Sequence, residues 1–354
     1  MLCGWCGYVS AQTQVVKINA TKANDFGVRY MLPKTLLNVD VTFSETRQKA
    51  GTYAKYASRY LGLNDADVVL EDRTFFKLGN AVITETSTPN PEQTYLVTFK
   101  AKTTSPFVSL TEDGVLLAIN AEYGKVEPPT AVQQAPPAAP TSDLPKINPQ
   151  SIYTEEYLRA GSVGKMAEVA AKNIYKIRES RQDLLTGETE NVPKDGEAMK
   201  IILANLDAQE KLWTELFTGS SETVEHAQSF VVEPTGEKQN EILFRFSNYL
   251  GIVAPDDLSG RPVTLTIIDL QSVEMPVIDP KKAAKAPQSI VYNVPGKAEV
   301  SLSDGSGKIC SNLFNITQFG TTEILATSIF EDKKTLVRVY FYPTTGAIKQ
   351  IDTL

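Results

Sequence analysis

The chain has 354 residues, 42% apolar and 22% charged, a composition that excludes wholesale disorder and a length that suits about two or three domains, each with its own buried core. Its 42 acidic against 35 basic residues leave a formal charge of -7, which opposes binding to nucleic acid or anionic lipid. The basic residues are scattered, the densest cluster being Lys281, Lys282 and Lys285, and no apolar run reaches the roughly 18 residues a membrane-spanning helix needs.

Residues 1–12, "MLCGWCGYVSAQ", are apolar and end in Val9-Ser10-Ala11 before Gln12, the pattern of the last part of a secretory signal with a small-residue cleavage site. The positively charged front of such a signal is missing. The expectation is an exported protein, periplasmic or envelope-associated, with an incomplete signal stub. Cys3 and Cys6 would leave with the stub, so the mature chain would hold Cys310 alone and no internal disulfide. Cys310 reads as a small buried strand residue, since no basic neighbour is evident to activate its thiol.

Residues 13–126 read as a β-rich domain with one short helix. "LLNVDVTF" alternates Leu37, Val39, Val41 and Phe43 with Asn38, Asp40 and Thr42, the pattern of a half-buried strand. "DVVLEDRTFFKL", "NAVITET", "TYLVTFKA" and "GVLLAI" follow as separate strands between Gly, Pro and Asn punctuation, which points to a sandwich or open barrel. In "TYAKYASRYLGL", residues 52–63, Tyr53, Tyr56 and Tyr60 share one helical face. Rings at that spacing serve packing first, while Tyr53 and Tyr56 stand as the candidate ligand surface, able to stack on a sugar or receive a peptide.

Residues 127–150 form a proline-rich linker, with Pro128, Pro129, Pro136, Pro137, Pro140, Pro145 and Pro149 favouring extended polyproline geometry. Residues 151–221 hold an antiparallel helical hairpin. Val163, Met166, Ala170, Ile174, Ile177 and Leu184 recur at helical steps, a stripe broken only at Arg181. Met199, Ile202, Leu206, Trp213 and Leu216 do likewise, with Asp195 placed to cap the second helix. The stripes read as packing seams, the alternative being a docking face for a partner helix.

Residues 222–354 return to strands, "QSFVV", "VTLTIID", "SIVYNV", "AEVSL", "TLVRVYFY" and "GAIKQI", interrupted by a crossing at residues 276–287. "SRYLGLNDADV" from Ser58 matches "SNYLGIVAPDDL" from Ser247, and "GVLLAI" from Gly114 matches "GAIKQI" from Gly346, so a tandem duplication is expected. In both copies Tyr-Leu-Gly would end a helix at a left-handed glycine, Gly62 or Gly251, with Tyr60 and Tyr249 packed against a sheet. "EILFRFSN" also alternates as a strand would, which weakens the second helix. The fold class is therefore mainly β with α: two β-rich, sandwich-like modules plus a helical hairpin.

Catalytic chemistry finds no residue set. His226 is the single histidine, so multi-histidine zinc sites are excluded, and its neighbours Glu225 and Gln228 suggest a solvated side chain at a strand entrance. "SDGSGK", residues 303–308, lacks phosphate-loop spacing and reads as a hairpin turn. Asp65, Asp67, Glu71 and Asp72 lack the glycine turn and oxygen ligands of a calcium loop, and Asp256 and Asp257 form a turn, so both sets read as solvated. No catalytic residue, metal ligand or cofactor is assigned.

The motifs "YMLPKTLLNVDVTF", "YAKYASRYLGL", "LLTGETENVPKDGEAM" and "LFRFSNYLGIVAPDDLSGRPVTLTI" resemble those of a family of exported Bacteroides-type proteins classed as a domain of unknown function, over about Val15 to Ile351. The resemblance implies an envelope or secreted setting and no activity. The expected function is a non-catalytic envelope or secreted protein that binds a partner protein or a glycan. The alternatives are an envelope glycan or peptide hydrolase using acidic residues and a structural assembly subunit. The oligomeric state is left open.

Overall fold

The computed structural model describes residues 14–17, 27–98, 108–124, 145, 147–188, 195–274, 289–326, 329 and 337–353. The signal-like stub, the crossing at 276–287, the connector at 189–194 and the linker up to Leu144 lie outside them. Of the described residues about 51% are strand and 25% helix, in several antiparallel sheets, so the fold is mainly β with some α.

Two long hairpins frame the molecule. The first joins β2 (Val28–Lys49) to β3 (Arg73–Thr98). The segments expected as separate strands before and after Gly79 and near Pro89 form this one strand, because irregularities absorb the punctuation without ending the pairing. Val41 faces Ala81 and Phe43 faces Leu78, so Gly79 and Asn80 together oppose Thr42. Thr42 Oγ1 donates to the Asn80 carbonyl and accepts from its N–H, both at 3.1 Å. A Cβ at Gly79 would lie 2.9 Å from the Thr42 carbonyl oxygen, which explains the glycine. Asp65–Asp67 is a short 3₁₀ turn, so the strand expected from Asp67 begins only at Arg73.

The second hairpin joins β10 (Ser289–Asp304) to β11 (Gly307–Ala326) through the turn expected at 303–308. It merges "SIVYNV" and "AEVSL" across an irregularity where a Cβ on Gly320 would meet the Val294 carbonyl oxygen at 1.9 Å. Around the hairpins stand β1 (Gln14–Lys17), β4 (Val108–Leu110), β5 (Leu116–Ile119), β6 (Ser220–Val232), β7 (Lys238–Ser247), β8 (Gly251–Val253), β9 (Arg261–Asp269), β12 (Val337–Phe341) and β13 (Ile348–Thr353). They build three antiparallel sheets with strand orders β1-β3-β2-β6, β11-β10-β9-β7-β8 and β13-β12-β5-β4.

Two β cores result, and each draws on both of the segments expected as separate modules. Leu37, Val39 and Val41 of β2 are fully buried against Phe244, Val263, Leu265, Ile267, Val300 and Leu302 of the facing sheet. The other ends of β2 and β3 supply Tyr30, Leu32, Tyr95 and Val97 to a second core with Leu116, Ile119, Ile290, Val339 and Phe341. β6 pairs along β2, and Val339 and Tyr340 of β12 pair with Ile119 and Ala118 of β5. A boundary drawn along the chain between 13–126 and 222–354 therefore does not separate the sheets.

Buried polar groups join the long hairpins. The Thr35 N–H donates to Thr317 Oγ1 at 3.0 Å, and Gln318 Nε2 donates to the Thr35 carbonyl at 2.8 Å. Asn293, 4% exposed, donates through Nδ2 to the carbonyls of Pro33 and Thr345. Such groups are tolerated inside because they are hydrogen-bonded.

A third core is helical. The connection between β2 and β3 carries α1 (Ala57–Leu61), which ends at Gly62 in the left-handed conformation as expected. α2 (Glu155–Leu158), α3 (Val163–Thr186) and α4 (Gly196–Thr218) pack beside it. Ser162 caps α3, Gly187 ends it with φ 76°, and the Asp195 side chain accepts from the Glu197 N–H to cap α4. The pairs Arg178–Glu210 and Arg181–Asp207 run in opposite senses along the two helices, which makes them antiparallel.

The second Tyr-Leu-Gly segment differs from the first. "EILFRFS" is strand β7, with Phe244 and Phe246 each 1% exposed, and residues 248–250 are the turn into β8. Tyr249 is 80% exposed, not packed on a sheet. Alternating burial against β9 favours the strand over the helix in this stretch. Tyr60, in α1, also packs toward α3 and not on a sheet, its hydroxyl 3.4 Å from the Gly164 carbonyl. Gly114 and Gly346, by contrast, both adopt positive φ, at 83° and 69°, beside hairpin strands of one sheet.

Candidate functional site

A groove of about 450 Å³ lies where the helical hairpin meets the start of β6. The inward stripe of α3, Ala167, Ala170, Ala171, Ile174 and Ile177, is buried against Trp213, Phe217, Tyr53 and Tyr157. Arg178 and Arg181 then fall on the flank of that seam, facing Asp207, Glu210 and Thr214 on α4. At the end of α4, Gly219 turns the chain into β6 with φ 76°, and Ser220 and Ser221 complete the wall.

Arg178 Nε donates to Glu210 Oε1 at 2.6 Å, while Arg181 Nη2 bonds both Asp207 Oδ1, at 2.5 Å, and Glu210 Oε2. Burial pushes the Glu210 carboxyl up, but the hydrogen bonds and charges of Arg178 and Arg181 outweigh it and hold Glu210 below the ordinary carboxylate range. Glu210 is thus a fixed anion and a poor proton donor. With Lys211 and Glu215, the lining carries three cations and three carboxylates and no net charge. Beside it the Arg178 guanidinium lies 5.8 Å from the ring of Tyr175, which is 49% exposed and donates its hydroxyl to the Tyr60 carbonyl.

The tyrosines singled out in the sequence divide. Tyr53 is 1% exposed, its hydroxyl 2.5 Å from that of Tyr157 and its ring against Phe217. It faces the helical core and presents no surface. Tyr56 and Tyr60 are half-buried beside the same core, with ring centroids 6.1 Å apart.

His226 lies within β6, not at its entrance, and is half-buried: it stacks on Phe43, with centroids 5.2 Å apart, and its Nε2 is 3.0 Å from Glu45 Oε2. Glu45, 8% exposed, also accepts from Arg47 Nε, and that bond, reinforced by His226, holds its carboxyl below the ordinary range. Burial pushes the Cys310 thiol up on strand β11, which makes it less nucleophilic. Among the described residues no group of three or more His, Cys, Asp or Glu could hold a metal ion, and no helix is long and apolar enough to cross a membrane. Asp72 accepts from the Ala50 N–H and fastens the connection between β2 and β3.

In the sequence Arg181 was visible only as the break in the α3 stripe. Its partners lie 26 to 29 residues away on α4, and no short motif marks them.

A family described as a domain of unknown function, DUF4831, matches residues 26–349. The chain belongs to that family. No curated protein and no solved structure matches it. Membership in DUF4831 thus fixes a relationship across both β cores and the hairpin, and carries no activity with it.

Proposed function

We propose that the protein is a non-catalytic binding protein of the cell envelope or secreted space, and that the groove beside the helical hairpin takes an uncharged glycan. The observation that carries this reading is the charge balance of the lining. A groove that already pairs its own guanidiniums and carboxylates offers many directional donors and acceptors and little net field. Such a lining suits a ligand of many hydroxyls better than one with a phosphate or other strong charge. Tyr175 adds an exposed ring beside it, of the kind on which a sugar face stacks. The exported setting is supported by the Val9-Ser10-Ala11 cleavage-site pattern. The depressed Glu210 carboxyl speaks against a hydrolase using it as general acid.

A second reading, docking of a partner protein, draws on Tyr249, Leu250 and Leu258, exposed by 80%, 59% and 83% at turns beside β8. An array of neutral oligosaccharides followed by calorimetry separates the two. Saturable binding that Arg178→Ala weakens about tenfold or more, and Tyr249→Ala leaves alone, supports the groove. Absence of binding across the array, or binding indifferent to Arg178→Ala and Tyr175→Ala, overturns it.

A further inference from the structure

The outermost strand of the β1-β3-β2-β6 sheet is unlike the other sheet edges among the described residues. β1, β4 and β8 are three or four residues long, β13 has six and carries Lys349, and β11 is interrupted by register shifts and carries Lys308. Short length, lysine and irregular register are the ordinary devices that keep an edge from pairing with another chain. β6 has none of these three, its charged side chains being Glu222 and Glu225 alone. Its 13 residues, "SSETVEHAQSFVV", contain no Pro, Lys or Arg and pair with β2 from Lys49↔Ser220 to Leu37↔Val232 without a shift. Among the described residues no strand pairs with the opposite side of β6, whose backbone N–H and C=O groups run along roughly 40 Å.

We propose that β6 is a dimerisation edge. The β6 of a second copy adds antiparallel about a two-fold axis and joins the two sheets into one. Self-pairing over the full strand sets Ser220 opposite the partner's Val232 and puts His226 on the axis. Glu222 then falls opposite the partner's Phe230, Glu225 opposite the partner's Ala227 and Thr223 opposite the partner's Ser229. No carboxylate stands directly opposite a carboxylate, the nearest pair being the two Glu225 side chains on a diagonal across the axis. In-register parallel pairing would instead set Glu222 and Glu225 each against itself, which is unfavourable. The two-fold arrangement closes, so a dimer forms and not a fibre. It also brings the partner's Val231 and Val232 against Ser221 and Ser220, at the rim of the groove, so groove and edge would share a border.

The test is the mass of the full chain in solution, by sedimentation across a wide concentration range. The expected result is two chains. Thr223→Lys with Ser229→Lys changes two exposed positions, opposes lysines twice across the axis and weakens the dimer about tenfold or more. Thr223→Glu with Ser229→Lys sets unlike charges at the same places, so the dimer persists or tightens. A mass of one chain throughout, or the same response from both double variants with melting temperatures unchanged, overturns the proposal.

Discussion

Tyr53 and Tyr157 share a hydrogen bond between two buried hydroxyls, 1% and 5% exposed respectively, at the base of the helical core. Burial, reinforced by this bond, pushes the Tyr157 phenol well above the ordinary tyrosine value, so Tyr157 stays neutral. Tyr53→Phe keeps the ring contacts with Phe217 and Tyr157 and removes one oxygen. The Tyr157 hydroxyl is then left buried without that partner, at a cost of about 1–3 kcal/mol, and Tyr157→Phe has the mirror effect. Removing both oxygens leaves no stranded group, so the double variant costs no more than either single one, and the coupling is about as large as one single effect. Unfolding in denaturant can be followed through Trp213, whose ring lies 5.1 Å from that of Tyr157, in a Trp5→Phe background. Single variants that cost nothing, or a double variant that costs their sum, would refute the idea that these tyrosines are a coupled core pair. The same core seats the seam under Arg178 and Arg181, so Tyr53→Ala, with a loss of about 3–5 kcal/mol, is expected to disorder the groove as well as lower the melting temperature.

Two further outcomes follow from the groove. Folding favours the ionised form of Glu210, because its carboxyl is held below the ordinary range by Arg178 and Arg181. Its contribution is full above the unfolded-state value of about 4.3 and is lost as pH falls through the lower folded value. The melting-temperature gap between the natural chain and Glu210→Gln should therefore be present at neutral pH and close in acid, and a gap independent of pH refutes the assignment. At Gly219 an added Cβ would sit 2.3 Å from the Lys49 carbonyl oxygen with φ at 76°. Gly219→Ala is expected to cost about 3 kcal/mol or more in denaturant unfolding, whereas Gly187→Ala, with open space around its Cβ, carries only the backbone strain, about 1–3 kcal/mol; equal costs would refute the clash.

Much of the local structure is legible in the sequence. Asp195 caps α4, Gly62 ends α1, and the alternation from Leu37 to Phe43 is a strand buried on one face. Each of these depends on hydrogen bonds or periodicity within a few residues. The identical triplet Tyr249-Leu250-Gly251 shows where local reading ends, because pairing of β7 with β9 places it in a hairpin turn instead of a helix end. The groove is legible only as one anomaly, a charge at Arg181 in an apolar stripe.

By itself the chain's order of residues determines the helical hairpin, the caps of its helices, the turn at 303–308 and the mainly β class, since backbone conformation there answers to neighbours a few residues away. Only the tertiary structure decides that Thr35 bonds Gln318, 283 residues on, that Glu45 meets His226, 181 residues on, and that strands from both halves share sheets. Strand partners and groove walls are chosen by burial of whole faces across the molecule, and that free energy belongs to pairs of distant segments, not to either segment alone.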